Sequence, residues 1–320
     1  MKNTVLILLM LLVVVTCARL TRSVGKSNDV IVIARQIEED KVYENIQLYN
    51  YVPQEEGIFN FIFVGDTAIE AYKNHHAILL YGSLEDEYIY DMLSKDARAA
   101  TKKDTFTLFK LSNLWADGQL TVILAARDES HIARGIEKYG QLIAQVLEEH
   151  YYQRVKKNYY LTGVSSKMKD RLKRYGMKLD INEAWLIDST HQDANFIYMH
   201  THFPDRSIFF YKETRRTKPD GQFALAKRDS LTKLYYNGDY ILKELTTAET
   251  IEFANLKGVR LRGVWQNDSL IAGGPFLSYF LSDGATLYII DGMVFNPGER
   301  KTDYFTKIEV ILNSFNLIRS

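Results

Sequence analysis

His200 and His202, in the stretch "YMHTH", are the residues whose types and spacing come nearest to recognisable chemistry. Side chains two apart on a strand share a face, so both imidazoles would project together, as two ligands of Zn²⁺ or another divalent metal do. A working site needs a third ligand and a partner that orients each ring. No Glu or His stands nearby at a familiar spacing. The chemical reading is an exported, metal-assisted hydrolase. The plain reading is a strand face that meets solvent or aromatic neighbours. A second group gathers at Trp265, Gly273, Gly274 and Pro275. Two glycines and a proline inside a strand weaken ladder pairing and predict a bulge or a sheet edge, where a backbone can approach a ligand closely.

Cys17 is the only cysteine, and it closes an apolar run, Val5 to Val15. Such a run rises roughly 16 Å as a helix, about half of a hydrocarbon core. That suits the apolar region of an export signal better than a span. "VVTC" looks like a bacterial lipobox, in which the cysteine thiol takes a diacylglyceryl group and becomes the new amino terminus; Thr16 stands where Gly, Ala or Ser is usual. The rival readings are cleavage after Ala18 and an uncleaved anchor. The expected product is a membrane-anchored lipoprotein of the cell envelope. "ARLTR" follows the cysteine without an acidic cluster, so the body is expected to face the periplasm.

The chain has 40 basic and 40 acidic side chains and is 46% hydrophobic, the composition of a folded globular body. Neutral charge and export argue against nucleic acid. No cofactor is implied. There is no G-x-S-x-G elbow, H-E-x-x-H or EF-hand loop, and "GKS" at 25–27 lacks the leading strand and glycine of a phosphate loop. "EDEYIYD" (85–91) gathers carboxylates that read as a helix start. The basic stretch 212–228 reads as a solvated loop near anionic lipid, and the tyrosines of "HYYQRVKKNYY" as packing residues.

The elements that must position these groups follow from periodicity. "DVIVIA", "FNFIFV" and "AILLYG" read as strands. "FTLFKLSNLW" and "GQLTVILAA" read as a hairpin around "ADG", followed by a long helix over about 130–160. Residues 38–51 and 229–245 read as helices, and 177–188, 195–203 and 207–214 as strands. Three strands at 258–266, 269–281 and 285–295 and a closing helix at 301–315 follow. The fold class is α/β, more closely α+β: two mixed or antiparallel sheets covered by helices, the C-terminal half an α-β-α sandwich. The expected organisation is a lipoprotein signal (1–17), a tether (18–28), an N-terminal α/β domain (29–163) and a C-terminal α+β domain (164–320).

The tryptophan at 265, "GPF" at 274–276, "DGMVFNP" and "KTDYF" resemble the closing part of a family of lipoproteins from Bacteroidota known as a domain of unknown function. "SNDVIVI", "VPQEEGIF" and "WADGQLTVILAARDES" resemble its earlier landmarks, with Asp291 where Glu is commoner. Residues 175–320 also resemble the PsbP/Mog1-like α-β-α sandwich. The resemblance implies a lipoprotein and brings no activity. The expected function is a lipid-anchored binding or assembly module for an envelope protein, glycan or lipid partner.

Overall fold

The computed structural model describes residues 20–51, 53–188, 195–236 and 238–318, so Cys17 and the leader lie outside the described residues. The elements run Asp29–Ala34 (β1), Glu39–Ile46 (α1), Tyr49–Tyr51 (β2), Glu55–Gly57 (β3), Asn60–Gly65 (β4), Ile69–Tyr72 (α2), Ala77–Ser83 (β5), Glu87–Met92 (α3), Lys95–Asp104 (α4), Phe106–Ser112 (β6), Leu120–Ala126 (β7) and Ile132–Tyr159 (α5). They continue with Ser166–Lys173 (α6), Met177–Lys178 (β8), Leu186–Asp188 (β9), Phe196–Thr201 (β10), Asp205–Thr214 (β11), Gly221–Tyr235 (α7), Tyr240–Phe253 (β12), Leu256–Asn267 (β13), Ala272–Ser282 (β14), Thr286–Phe295 (β15), Thr302–Leu312 (α8) and Asn316–Leu317 (β16).

The first sheet has the order β4-β1-β5-β7-β6. It is parallel except for β6, which pairs antiparallel with β7 as the hairpin reading expects. β1, β5 and β7 are buried along their whole length, because helices cover both faces of a parallel sheet. Val30, Val32 and Ala34 face the helix α5 side, while Ile31 and Ile33 join Ile78, Leu80 and Ile89 on the other. Gly140 of α5 lets α1 approach; a Cβ there would stand 2.6 Å from the Asn45 carbonyl oxygen.

The second sheet is antiparallel, ordered β12-β13-β14-β15-β11-β10-β9. Strand alternation splits its side chains cleanly. Phe209, Phe276 and Phe280 pack under α7, whereas Ile208, Phe210, Leu277 and Leu281 pack with α8 and α5. That is the expected α-β-α sandwich. Helix α5 touches β5 and β7 on one side and α8 on the other, so it is shared by both sheets. The Tyr151 hydroxyl of α5 donates to Asp303 (2.9 Å) and lies 3.2 Å from the Thr306 hydroxyl, both on α8.

Three element readings change. The helix expected at 229–245 is α7 at Gly221–Tyr235, followed by the 14-residue strand β12. Asp220 caps it by accepting from the Phe223 amide at 2.8 Å, inside the stretch read as a basic loop. β12 is an edge strand with much of its length exposed, so its alternation carries little hydrophobic signal. The helix expected to run to 51 ends at Ile46, and Tyr49–Tyr51 instead pairs with Glu55–Gly57. The expected strand 177–188 is reduced to β8 and β9 at its two ends.

Candidate functional site

β15 has 10 residues and spans about 33 Å, whereas the 15 residues of α7 rise only about 22 Å. The helix therefore cannot cover its whole sheet face. Beyond its last residues, Tyr235 and Tyr236, a cleft of about 560 Å³ opens over the ends of β10, β11, β13 and β15. Ser207, Trp265, Met293 and Phe295 line its sheet side, with Tyr198, Tyr235, Tyr236 and Asp239 around them. His200, His202, Asp188, Asp205 and Leu270 border it. Two of the predicted groups, the histidine pair and Trp265, thus meet in one place.

The histidines share a face as expected. Their rings lie 5.0 Å apart in an edge arrangement, and His200 stacks on Tyr198 at 5.7 Å. His202 pairs through Nδ1 with Asp205 at 2.7 Å, both largely exposed. Among the described residues, no group of three or more His, Cys, Asp or Glu is arranged to hold a metal ion.

Trp265 and Gly274 are cross-strand partners in an unbroken register from Lys257–Ser282 to Asn267–Ala272. The expected bulge is therefore absent. β15 begins to pair with β14 only at Phe276, so on that side Pro275 has no ladder to interrupt. A Cβ at Gly274 would lie 2.0 Å from the Val294 carbonyl oxygen and 3.3 Å from Trp265 Nε1. The glycine lets two backbones and an indole approach one another. Gly273 borders an adjoining cleft of about 630 Å³ that shares Trp265, Ala272 and Phe295. That cleft lies between the first half of the chain, through Gln54 and Glu56, and the second, through Asp268 and Arg300.

Three polar groups on residues lining the first cleft are buried without a hydrogen-bond partner: Ser207 Oγ, the Tyr236 hydroxyl and Trp265 Nε1. The Ser207 hydroxyl is close enough to influence the Tyr198 and Tyr236 phenols, but in no good hydrogen-bonding geometry. Burial pushes the Tyr236 phenol far above its ordinary value, with Tyr198 and Asp291 adding to the shift. Burial also raises the Asp239 carboxyl, which accepts from Asn267 at 2.8 Å. Two turns back along α7, Arg228 is fully buried and bonds Asp291 through Nε (2.7 Å) and Nη2 (3.3 Å). Ser278 donates to the same carboxylate, and the guanidinium lies 3.6 Å from the Phe276 ring centre.

The loops at the mouth expose apolar side chains. Phe203 is 97% exposed and Ile271 92%, both with left-handed backbone, φ +60° and +49°. That region is strained for a β-branched residue, and such strain concentrates at functional loops.

Sequence reasoning identified Trp265, His200 and His202, but missed Tyr198, Ser207, Tyr235, Tyr236, Asp239, Met293 and Phe295. Tyr198 was within reach, since it shares the alternating face of His200 and His202. Tyr236 and Asp239 become neighbours of that strand only through the placement of α7.

Residues 165–314 match the family model of DUF4837, a domain of unknown function. The DUF4837 match bears out the resemblance to a domain-of-unknown-function family and contains every residue of the first cleft. A search of curated proteins found no match. A crystal structure from Bacteroides thetaiotaomicron VPI-5482 aligns at 8% identity and a TM-score of 0.28, over 45% of this chain and 46% of its own. The chain thus spans about half the length of that structure. A solution structure of cyanobacterial PsbP from Synechocystis sp. PCC 6803 aligns at 8% identity and a TM-score of 0.32, over 48% of this chain and 89% of its own.

Proposed function

We propose that the chain is a lipid-anchored envelope protein, acylated at Cys17 and facing the periplasm, whose DUF4837 portion binds a ligand or partner in the cleft beyond α7. One observation carries the binding reading. Buried hydroxyl and N–H groups without partners lie beneath a cleft walled by aromatic rings. An unpartnered buried polar group costs about 1–3 kcal/mol, and an aromatic cleft with a few polar groups is the usual build of a ligand site. The apolar loop tips at its mouth suit a site close to a membrane. The hydrolase alternative rests on His200 and His202, whose third ligand has no candidate among the described residues.

The anchor is tested by metabolic labelling with a palmitate analogue. Label lost in Cys17→Ala supports it, and label retained removes it. Binding is tested by native mass spectrometry of protein taken from its own envelope. An adduct present in the wild type and lost in Ala272→Trp, which fills the cleft, is expected. A wild type without an adduct would count against the reading.

A further inference from the structure

The charge and ring content of the cleft specify its ligand further, on the basis of the binding reading above. Its carboxylates are Asp188, Asp205 and Asp239, and its basic groups are Arg206, His200 and His202. Arg206 turns away: its guanidinium lies between the rings of Tyr304 (5.4 Å) and Trp185 (5.9 Å), which belong to the cluster on the α8 side of the sheet. His202 is paired with Asp205. Asp239 is 3% exposed and its hydrogen-bond partner Asn267 is uncharged. In the same cleft the rings form two pairs, Tyr198 with Tyr236 (5.2 Å, edge-on) and Trp265 with Phe295 (6.1 Å). Ring faces next to a carboxylate attract cations, and organic ammonium groups most of all.

The unpartnered atoms add a second requirement. The Ser207 and Tyr236 hydroxyl oxygens can accept from an N–H or an O–H, whereas Trp265 Nε1 can only donate and so calls for an oxygen on the ligand. We infer that the cleft binds an amino alcohol: a primary or methylated ammonium held by the aromatic rings and Asp239, with an oxygen that accepts from Trp265. Choline and ethanolamine carry this chemistry, free or as phospholipid headgroups. The exposed Phe203, Leu270 and Ile271 at the mouth are placed to meet the acyl region in the second case.

The test follows the Trp265 indole N–H resonance in the full chain, assigned by its loss in Trp265→Phe. Choline and ethanolamine are expected to shift it saturably. The neutral isostere 3,3-dimethyl-1-butanol is expected to bind at least about tenfold more weakly. Asp239→Asn and Tyr198→Leu should each weaken choline about tenfold with unchanged melting and circular dichroism; if Asp239→Asn unfolds, Tyr198→Leu decides. Sedimentation with phosphatidylethanolamine but not phosphatidylglycerol vesicles points to the headgroup source, and binding of free choline alone to a soluble one. Equal binding of the neutral alcohol overturns the ammonium assignment but keeps a binding cleft. No shift from any probe overturns the inference; a natural adduct lost in Ala272→Trp would still uphold the proposed function.

Discussion

At the residue scale the structure concentrates its risk in a few buried polar groups. Arg228 and Asp291 are both buried and form an ion pair through Nε and Nη2, while Arg228 Nη1 has no hydrogen-bond partner. Removing one partner leaves a charge without compensation, which costs far more than the pair contributes. Arg228→Met is therefore expected to lower stability by about 3–5 kcal/mol, read as the denaturant midpoint. Arg228→Met with Asp291→Leu should recover much of that loss. A second buried group lies in the first half, where His76 and His150 stack at 5.6 Å. Burial and the nearby Arg154 lower both to about 4. The unfolded rings take up protons near 6.5, so between pH 6.5 and 4 the unfolded state binds more protons. Stability should be full above pH 6.5 and fall as pH drops towards 4, by at most about 3 kcal/mol per ring. Urea titrations across that window check it, and His76→Gln with His150→Gln should flatten the profile.

At the element scale the informative contact is the start of α8. Its first turn has no capping side chain of its own. Glu56, far away in the sequence, accepts from the amides of Lys301 (2.9 Å) and Thr302 (2.9 Å) and from the Thr302 hydroxyl (2.8 Å). A carboxylate there satisfies orphan N–H groups and complements the helix dipole. Glu56→Ala is expected to cost about 1–2 kcal/mol and to speed amide exchange over 301–305 selectively. Exchange that stays slow there would show that the cap is dispensable. A local cap opens α6, where Ser165 accepts from the Met168 amide at 3.2 Å. α7 was misplaced although Asp220 caps it locally, because the exposed β12 after it lacks the contrast that separates strand from helix.

At the scale of the whole molecule, the two sheets share one apolar cluster that runs from Val30 through α5 to Phe315. Arg262 of β13 reaches Asn50 at 2.9 Å, and Arg300 donates to the Gly57 carbonyl at 2.6 Å, so polar contacts also cross between the halves. Such a shared core predicts one cooperative unfolding transition. Calorimetric and van't Hoff enthalpies should agree, and two resolved transitions would refute this. Residues 22–27 lie against the body as well: Arg154 donates to Ser23, Asn158 to Ser27, and His76 meets the Lys26 carbonyl.

The α+β class, the antiparallel strands from 258 to 295, the hairpin of β6 with β7 and the amphipathic α5 and α8 were determined by the sequence itself, because burial imposes periods of two and 3.6 that residue types record directly. The pairing of His200 with His202 on one face follows from the same period. The cleft, its tyrosines, Asp239 and the cap from Glu56 were decided only by the tertiary structure. They depend on where a 15-residue helix stops over a longer sheet and on contacts between residues far apart in the chain, and neither leaves a local pattern to read.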